Sequence, residues 1–293
     1  MKALLLIAGI PTIIAFLLWL EKTNPIEKDQ PRSEIICNYK LVAINVIVNQ
    51  LLKPAASLCA ASLVNAMGGG FFELRTDGWW LVPSLIVFIL AMELYSYSIH
   101  RLQHAVPALW AMHSLHHSAE SLTLVVGARH YWFEGVAMVA FLPLLDVVFK
   151  IPSDLLFVGA LLYFLPDQCA HVNIRFSLGR FALWINNPQY HRIHHSIRPE
   201  HRDKNFCKLL PIIDVIFGTA WKPAADEFPP TGLVPSKKPA TLIDGFLWPF
   251  RGPRSVAARG APTDFYEIAA KESLEFLDVM GNLAKPNSTG IGR

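Results

Sequence analysis

Histidine is the residue type in this 293-residue chain whose spacing most directly indicates chemistry. All eleven histidines lie between residues 100 and 201. On a helix, residues three and four apart share a face, so we expect the members of a close group to aim their ring nitrogens at one point. Eight histidines form three such groups, with the spacings H-x3-H, H-x2-HH and H-x2-HH: His100 and His104; His113, His116 and His117; and His191, His194 and His195.

This clustering predicts metal binding. Neighbouring imidazoles repel one another once protonated, whereas a metal ion accepts neutral imidazole and holds the rings together. Imidazole suits zinc, copper, iron and nickel, so the ligand type leaves the metal open. Eight nitrogens are more than one tetrahedral or octahedral ion can use. The sequence therefore predicts two ions.

Several common metal sites are excluded by the pattern. The H-E-x-x-H motif of zinc proteases is absent, and no glutamate stands three residues before a histidine, as carboxylate di-iron bundles require. A bis-histidine haem protein needs single, well-separated ligands rather than triplets. An all-histidine centre for two metals remains.

Two further sets of residues are predicted to take no part in the chemistry. His201, between Glu200 and Arg202, is expected in a solvated charged turn. The cysteines form no C-x-x-C pair, which excludes both a disulfide framework and a thiolate metal site. They are expected to be small buried apolar residues: Cys37, Cys59, Cys169 and Cys207.

The elements that position the histidines are predicted to be membrane helices, because 53% of the residues are apolar. No cleavage site follows the first apolar run, so a retained helix is favoured over a signal peptide. The second run is the least regular, because it contains several polar residues and Pro54. The sequence predicts four to five spans, at about residues 4–20, 41–67, 79–99, 133–149 and 153–170.

The loop charges predict the orientation. Residues 21–40 carry four lysines and arginines, whereas the loops near 68–78 and 149–154 carry one each. By the positive-inside rule, the first loop and everything after residue 171 face the cytoplasm, together with the histidines. A soluble helical protein is the rival, but it would need several unpatterned apolar runs of about 17 residues.

The predicted fold class is all-α: an integral-membrane helical bundle with a cytoplasmic helical cap that carries the dimetal site. Residues 1–222 are predicted to form this domain and residues 223–293 a cytoplasmic tail. The tail has an apolar interfacial segment at 245–250 and one amphipathic helix at 265–280. Although 16 of the 26 lysines and arginines follow residue 171, the aromatic residues lie in apolar runs, so no nucleic-acid binding is predicted.

At this point the residues match a family. HRLQHAVPALWAMHSLHHSAE (100–120), the pair Arg129-His130, AHVNIRF (170–176) and NNPQYHRIHHS (186–196) resemble the fatty acid hydroxylase / sterol desaturase superfamily of integral-membrane di-iron enzymes. The resemblance runs from about Glu93 to Thr219, and its triple histidine pattern is highly specific. Glu93 stands where the family often has Asp, residues 96–99 differ from its usual run, and Cys207 replaces a common Gly.

The resemblance implies that the eight clustered histidines are ligands of two iron ions, with zinc as a substitute ion in a purified sample. It also implies that His171 and, with less support, His130 complete the ligand set. O2 would be the co-substrate and a membrane lipid the substrate. Electrons would come from a separate ferredoxin, cytochrome or flavoprotein reductase. The departures bear on substrate identity more than on the metals.

Four other polar residues are expected to support ligands by accepting hydrogen bonds from their N–H groups. For Glu93, which lies inside an apolar run, an interhelical hydrogen bond is an equal alternative. For Asn187, which precedes Pro188, a capping or turn role is favoured. The four residues are Glu93, Asn173, Asn187 and Asp214.

The function predicted from these residues is O2-dependent oxidation of a membrane lipid, with hydroxylation and desaturation both open. One alternative is a histidine-rich metal-handling membrane protein, although transport would place histidines near the middle of spans rather than beyond their ends. Another is a zinc-dependent membrane hydrolase in which two ions activate water. The lipid and the oligomeric state are not predicted.

Overall fold

The described part of the chain is mostly helical, in agreement with the predicted all-α class. The computed structural model describes residues 2–141, 143–234 and 237–252. Within them, the only strands are the two-residue β1 (Phe72–Glu73) and β2 (Phe149–Lys150). The α-helices are α1 (Lys2–Thr23), α2 (Arg32–Ala66), α3 (Leu81–Ala105), α4 (Pro107–His117), α5 (Trp132–Phe141), α6 (Pro143–Val148), α7 (Ser153–Cys169), α8 (Pro188–His194), α9 (Ile212–Ile216), α10 (Leu242–Phe246) and α11 (Trp248–Arg251).

Two helical segments of the described chain are long and apolar enough to cross a membrane. They are Arg32–Ala66, with 35 residues, and Gly78–Ala105, with 28. At about 1.5 Å per residue, each exceeds the roughly 30 Å of a hydrocarbon core. Less than a quarter of the apolar window of each is buried. Their outward side chains, such as Leu51 at 72% exposure, are therefore available to lipid.

The predicted spans correspond to these helices unequally. Residues 41–67 and 79–99 lie almost wholly within α2 and α3, and α2 continues through Pro54 without ending. Residues 4–20 lie within α1, and 153–170 correspond to α7, a shorter apolar helix. The number of spans and the cytoplasmic side of the cap stay predictions.

Residues 133–149, predicted as one span, correspond to α5, α6 and the start of an extended segment. α5 is described to Phe141 and α6 from Pro143, and the chain is extended at residues 149 and 150. This span stays a prediction.

The extended segment pairs with the loop after α2. Phe72 and Glu73 lie beside Phe149 and Lys150 in a parallel ladder. Gly70, with φ +56°, makes the approach possible, because a Cβ there would lie 2.8 Å from the backbone nitrogen of Lys150. The segment KIPSD (150–154) thus takes part in a pairing between loops and also connects α6 to α7.

The described residues after 222 pack against the histidine-bearing part. The side-chain amide of Gln189 donates to the carbonyl of Ala224, at 2.7 Å. Trp248 is 2% exposed and donates from Nε1 to the hydroxyl of Ser114 on α4, at 2.9 Å. The boundary at residue 222 stays a prediction, and contacts cross it. The predicted helix at 265–280 lies outside the described residues.

Candidate metal centre

The helices that carry the histidines converge because the chain turns sharply between them. α3 ends at Ala105, Val106 is extended with φ −92° and ψ 120°, and Pro107 opens α4. Proline suits this first helical position, because its missing N–H would have no partner there. α4 therefore folds back against α3. α8 brings the third histidine group, and His171 follows the end of α7.

Nine of the ten predicted ligands are almost completely buried. None of the nine is more than 6% exposed: His100, His104, His113, His116, His117, His171, His191, His194 and His195. The tenth, His130, has a side chain that is 29% exposed. Polar side chains in such numbers are rarely buried without a compensating partner.

Five of the nine form one cluster, here named the five-histidine group. One ring nitrogen from each lies within 4.8 Å of the others. Within it, Nε2 of His104 lies 3.1 Å from Nε2 of His117. The members are His100, His104, His113, His117 and His194.

The other four, His116, His171, His191 and His195, form a second cluster, the four-histidine group, by the same distance criterion. Nε2 of His171 lies 2.9 Å from Nε2 of His191 and 3.2 Å from Nε2 of His116. Nε2 of His195 lies 3.2 Å from that of His191. The two groups adjoin, since the rings of His117 and His195 are stacked with centroids 4.4 Å apart.

The expectation that each sequence motif aims at a single point holds for His100 and His104 but is wrong for the two H-x2-HH motifs. In α4, His113 and His117 belong to the five-histidine group, whereas His116 belongs to the four-histidine group. In the motif of α8, His194 belongs to the five-histidine group, whereas His191 and His195 belong to the four-histidine group. Adjacent helical residues point about 100° apart, so the two adjacent histidines of each H-x2-HH motif serve different groups.

Carboxylates orient two of the rings in the five-histidine group. Nδ1 of His104 lies 3.1 Å from Oδ1 of Asp203, and Nδ1 of His113 lies 3.0 Å from Oε2 of Glu134. An ionised carboxylate only accepts hydrogen bonds, so the proton is expected on Nδ1 of each ring. Nε2 then carries the lone pair that a metal ion needs.

Backbone carbonyls orient three more rings in the same way. Because a carbonyl oxygen can only accept, each Nδ1–H donates and Nε2 is left as the bare nitrogen. The pairs are His100 with Phe206 at 2.8 Å, His194 with Lys204 at 2.8 Å and His171 with Asp167 at 3.0 Å.

Glu134 is the functional residue that the sequence analysis missed. It is 4% exposed. Besides His113, it accepts from Nε2 of Gln103 at 2.8 Å and from the backbone N–H of Tyr131 at 3.0 Å. Nδ1 of His130 lies 3.5 Å from the same carboxylate. A glutamate one turn after a histidine, in an otherwise apolar run, was the available signal.

His130 thus lies beside the two groups without joining either. It clusters instead with His113 and Glu134. Its ring stacks on His116 with centroids 4.3 Å apart and an interplanar angle of 14°. Its geometry suits a residue that packs against the ligand rings and competes for Glu134.

Burial keeps the histidines neutral, which is the form that a metal accepts. Desolvation, followed by the neighbouring histidines, holds the pKa of His116, His117, His191 and His195 well below its ordinary value. Burial also lowers the pKa of His171 to about 4, although Asp167 opposes the shift. At neutral pH these rings carry lone pairs rather than charges.

Two of the predicted supporting residues hold loops rather than ligand histidines. Glu93 is fully buried and accepts from the backbone N–H groups of Lys208 and Leu209, at 2.9 and 3.1 Å. Asn173 accepts from the backbone N–H groups of Ile26 and Glu27, both at 3.1 Å. The reason is that irregular buried segments leave N–H groups unpaired, and these polar side chains satisfy them.

Asp214 supports the site indirectly, through the loop that contains Phe206. Its carboxylate accepts from the backbone N–H groups of Phe206 and Cys207, each at 2.9 Å, and from the hydroxyl of Tyr190, at 2.9 Å. The carbonyl of Phe206 is the partner of His100. Asp214 thereby fixes the loop that orients this ring.

Asn187 and His201 have local roles. Asn187 is the N-cap of α8, and its side chain accepts from the backbone N–H of Tyr190. His201 is only 1% exposed, so its expected place in a solvated turn is wrong. Its Nε2 lies 3.1 Å from Glu227, a contact across 26 residues that the sequence pattern does not reveal. The cysteines are free, and only Cys207 is buried.

The donor sets fit metal ions. Nε2 of His100 is buried and has no hydrogen-bond partner among the described residues. Two nitrogens bound to one ion at about 2.0–2.2 Å would lie roughly 3–3.5 Å apart, close to the Nε2 separations in the four-histidine group. Nε2 of His191 contacts two other Nε2 atoms, although one proton can serve only one hydrogen bond. A shared cation would give a partner to the Nε2 atoms of His171, His191 and His195.

Comparison with known proteins finds one matching family model. Residues 85–219 match the sequence model of the family described as fatty acid hydroxylase. These residues contain both histidine groups. Over this segment, the chain is similar to the fatty acid hydroxylase family. No solved structure gives a significant match.

Three relatives illustrate the similarity. Alkylglycerol monooxygenase of Danio rerio is 31% identical over 160 residues, which cover 54% of this chain and 34% of that protein. The Homo sapiens protein of the same name is 31% identical, over 50% of this chain and 32% of its own length. Ornithine lipid hydroxylase of Rhizobium tropici is 28% identical, over 50% and 44%. The chain thus spans less than half the length of these relatives. The names of these relatives describe lipid hydroxylases and monooxygenases.

Proposed function

We propose that this protein is an O2-dependent oxidase of a membrane lipid that holds two iron ions, one in the five-histidine group and one in the four-histidine group. The observation that carries the proposal is the convergence of nine buried imidazoles into two adjoining groups, each with its nitrogens within 4.8 Å. Residues 1–222 would form the catalytic domain and residues 223–293 a tail.

The chain's own residues bind and orient. Phe206, Lys204 and Asp167 would hold three rings through their carbonyls, and Asp203 and Glu134 would hold two through carboxylates. This support fixes each tautomer, so that Nε2 faces the ion, and burial excludes water from the centre. When bound, two irons supply the reduction of O2 and the removal of hydrogen from an unactivated C–H bond.

A lipid substrate is supported by the homologues, whose names describe an alkylglycerol and an ornithine lipid as substrates. Both membrane-capable helices contribute residues to the cavity beside the site, so an apolar substrate could reach it laterally from the bilayer. A separate ferredoxin, cytochrome or reductase would deliver electrons. The histidine site would face the cytoplasm, as the loop charges predict.

The test combines metal analysis with turnover. Protein purified from iron-supplemented cells should contain about two irons per chain. With an added reductant system and O2, it should convert a lipid extract to products that differ by +16 or −2 in mass. Without reductant it should be inactive. Zinc as the only metal, with hydrolysis products instead, would contradict the proposal in favour of a zinc-dependent hydrolase.

A further inference from the structure

A cavity of about 210 Å³ opens beside both histidine groups. Its wall includes His100 and His113 of the five-histidine group and His116, His171 and His191 of the four-histidine group. Pockets that enclose a drug-sized ligand measure roughly 300–1,000 Å³, so this cavity holds only part of a lipid. Its other lining residues indicate which part.

One wall of the cavity is a polar stripe on α2. Asn45, Asn49 and Lys53 all line the cavity, and their spacing of four residues places them on one helix face. Asn45 donates from Nδ2 to the carbonyl of Ala128, at 3.0 Å, which anchors the stripe next to the His130 loop. Acyl chains need no such polar wall.

Asn49, which lines this cavity, has an unused acceptor. The residue is 6% exposed. Its Nδ2 donates to the carbonyls of Asn45 and Trp132, at 2.8 and 3.2 Å, and this fixes the orientation of the amide. Oδ1 is buried and has no hydrogen-bond partner among the described residues. A buried acceptor without a partner is costly, so a ligand that donates a hydrogen bond would stabilise the site.

Lys53 presents a cation one helical turn beyond Asn49. Exposed leucines precede and follow it on α2, as Leu51 and Leu58 show at 72% and 70% exposure, so the charge lies within an apolar stretch. Its charged neighbour is a second cation, Lys208. Lys208 is itself neutralised by Asp167, at 3.1 Å. A charge kept inside an apolar span usually serves binding or catalysis.

We propose that Lys53 and Asn49 form a headgroup site for an amphipathic lipid that carries a phosphate or carboxylate next to a hydroxyl or amine. The anion would pair with Lys53, and the hydroxyl or amine would donate to Oδ1 of Asn49. Because the same small cavity reaches the histidine groups, the oxidised carbon lies near the headgroup rather than at the far end of a chain. This assignment of substrate class rests on the proposed function.

Binding without turnover tests the site. The full chain, in phosphatidylcholine nanodiscs and without O2 or reductant, is titrated with oleoyl lysophosphatidic acid, N-oleoyl serine, oleoyl lysophosphatidylcholine and inorganic phosphate. Native mass spectrometry counts the bound ligand. Both anionic lipids should bind about tenfold more tightly than the zwitterionic one. Lys53→Met should abolish the preference, Lys53→Arg should retain it, and Lys40→Met, an exposed lysine on the same helix, should leave it unchanged.

The Asn49 contact has its own comparison. Oleyl phosphate, which lacks the hydroxyl, should bind the native protein several-fold more weakly than lysophosphatidic acid, and Asn49→Ala should bind the two equally. Iron content and thermal midpoint confirm that each variant is folded.

The headgroup site is overturned if Lys53→Met keeps the native preference. It is also overturned if lysophosphatidylcholine binds as tightly as the anionic lipids, or if inorganic phosphate competes at equal concentration. Failure to oxidise a lipid that binds as expected would instead contradict the proposed function and leave the headgroup site standing. The two proposals therefore fail separately.

Discussion

Nε2 of His171 lies 2.9 Å from Nε2 of His191. The two residues come from the end of α7 and from α8, so only the tertiary fold brings their rings together. Nδ1 of His171 is engaged by the carbonyl of Asp167, which turns the other nitrogen inward. The four-histidine group thus depends on helix packing as much as on its sequence motif. Substitution of single residues tests the contribution of each.

His194→Ala and His191→Ala should each remove one of two irons, because each deletes a nitrogen from a different group. Iron per chain, measured by inductively coupled plasma mass spectrometry, should fall from about two to about one in either variant, and lipid oxidation should cease. His201→Gln is the control, since His201 contacts Glu227 and belongs to neither group. Unchanged iron in His194→Ala would refute the assignment of this residue as a ligand.

Glu134→Gln should weaken iron binding in the five-histidine group by about 10–100-fold, because the amide cannot replace the charge that holds Nδ1 of His113. Iron retention during dialysis against a graded chelator measures the effect. The exposed Glu200→Gln is the matched control. Equal retention by the two variants would show that Glu134 does not position the ring.

Gly127→Ala should disturb the four-histidine group without removing a ligand. A Cβ at this position would lie 3.0 Å from Nδ1 of His171 and 2.8 Å from Oε1 of Gln168. Displacement of the ring should weaken iron binding by about tenfold, measured by the same dialysis. Gly9→Ala, where a Cβ meets nothing within 4 Å, should behave as the native protein.

Asp214→Asn should lower the free energy of unfolding by about 3 kcal/mol, because the amide cannot accept every hydrogen bond that the carboxylate receives from the loop and from Tyr190. Thermal denaturation in detergent measures the change, with the exposed Asp226→Asn as control. A shift no larger than that of the control would remove Asp214 as the support of the loop.

The metal-free protein should lose stability as the pH falls from about 6.5 towards 4. The folded-state pKa of His171 is about 4, below its ordinary value, so the unfolded chain binds more protons across this interval. Protonation therefore favours unfolding as the solution becomes more acidic, and the thermal midpoint should fall. His171→Gln should show a shallower dependence between pH 7 and 5, and an identical slope would contradict this account.

The sequence predicted the chemistry better than its geometry. The three histidine motifs could be identified because their histidines recur at helical spacings, whereas His171 came from the family resemblance. The division of the two H-x2-HH motifs between the groups could not be predicted, because it depends on how α4 and α8 face each other. His116 and His194 illustrate this, since each leaves the group of its sequence neighbours.

Supporting residues were the least predictable part of the site. Glu93 and Asn173 looked equivalent to Glu134 as buried polar groups near the histidines. Which of them meets a ring depends on where an irregular segment passes, as at Lys208 for Glu93. In the fold, the pairing of β1 with β2 is a long-range contact of two residues that left no signal in the sequence.

α4 supplies imidazoles to both groups within a single turn, since His116 and His117 are adjacent. The spacing between the two groups is then dictated by helix geometry and not by an adjustable loop. Insertion of one residue into this turn would rotate everything beyond it by about 100° and disrupt both groups at once. The number of residues in this helical turn is therefore the feature of the site that tolerates least change.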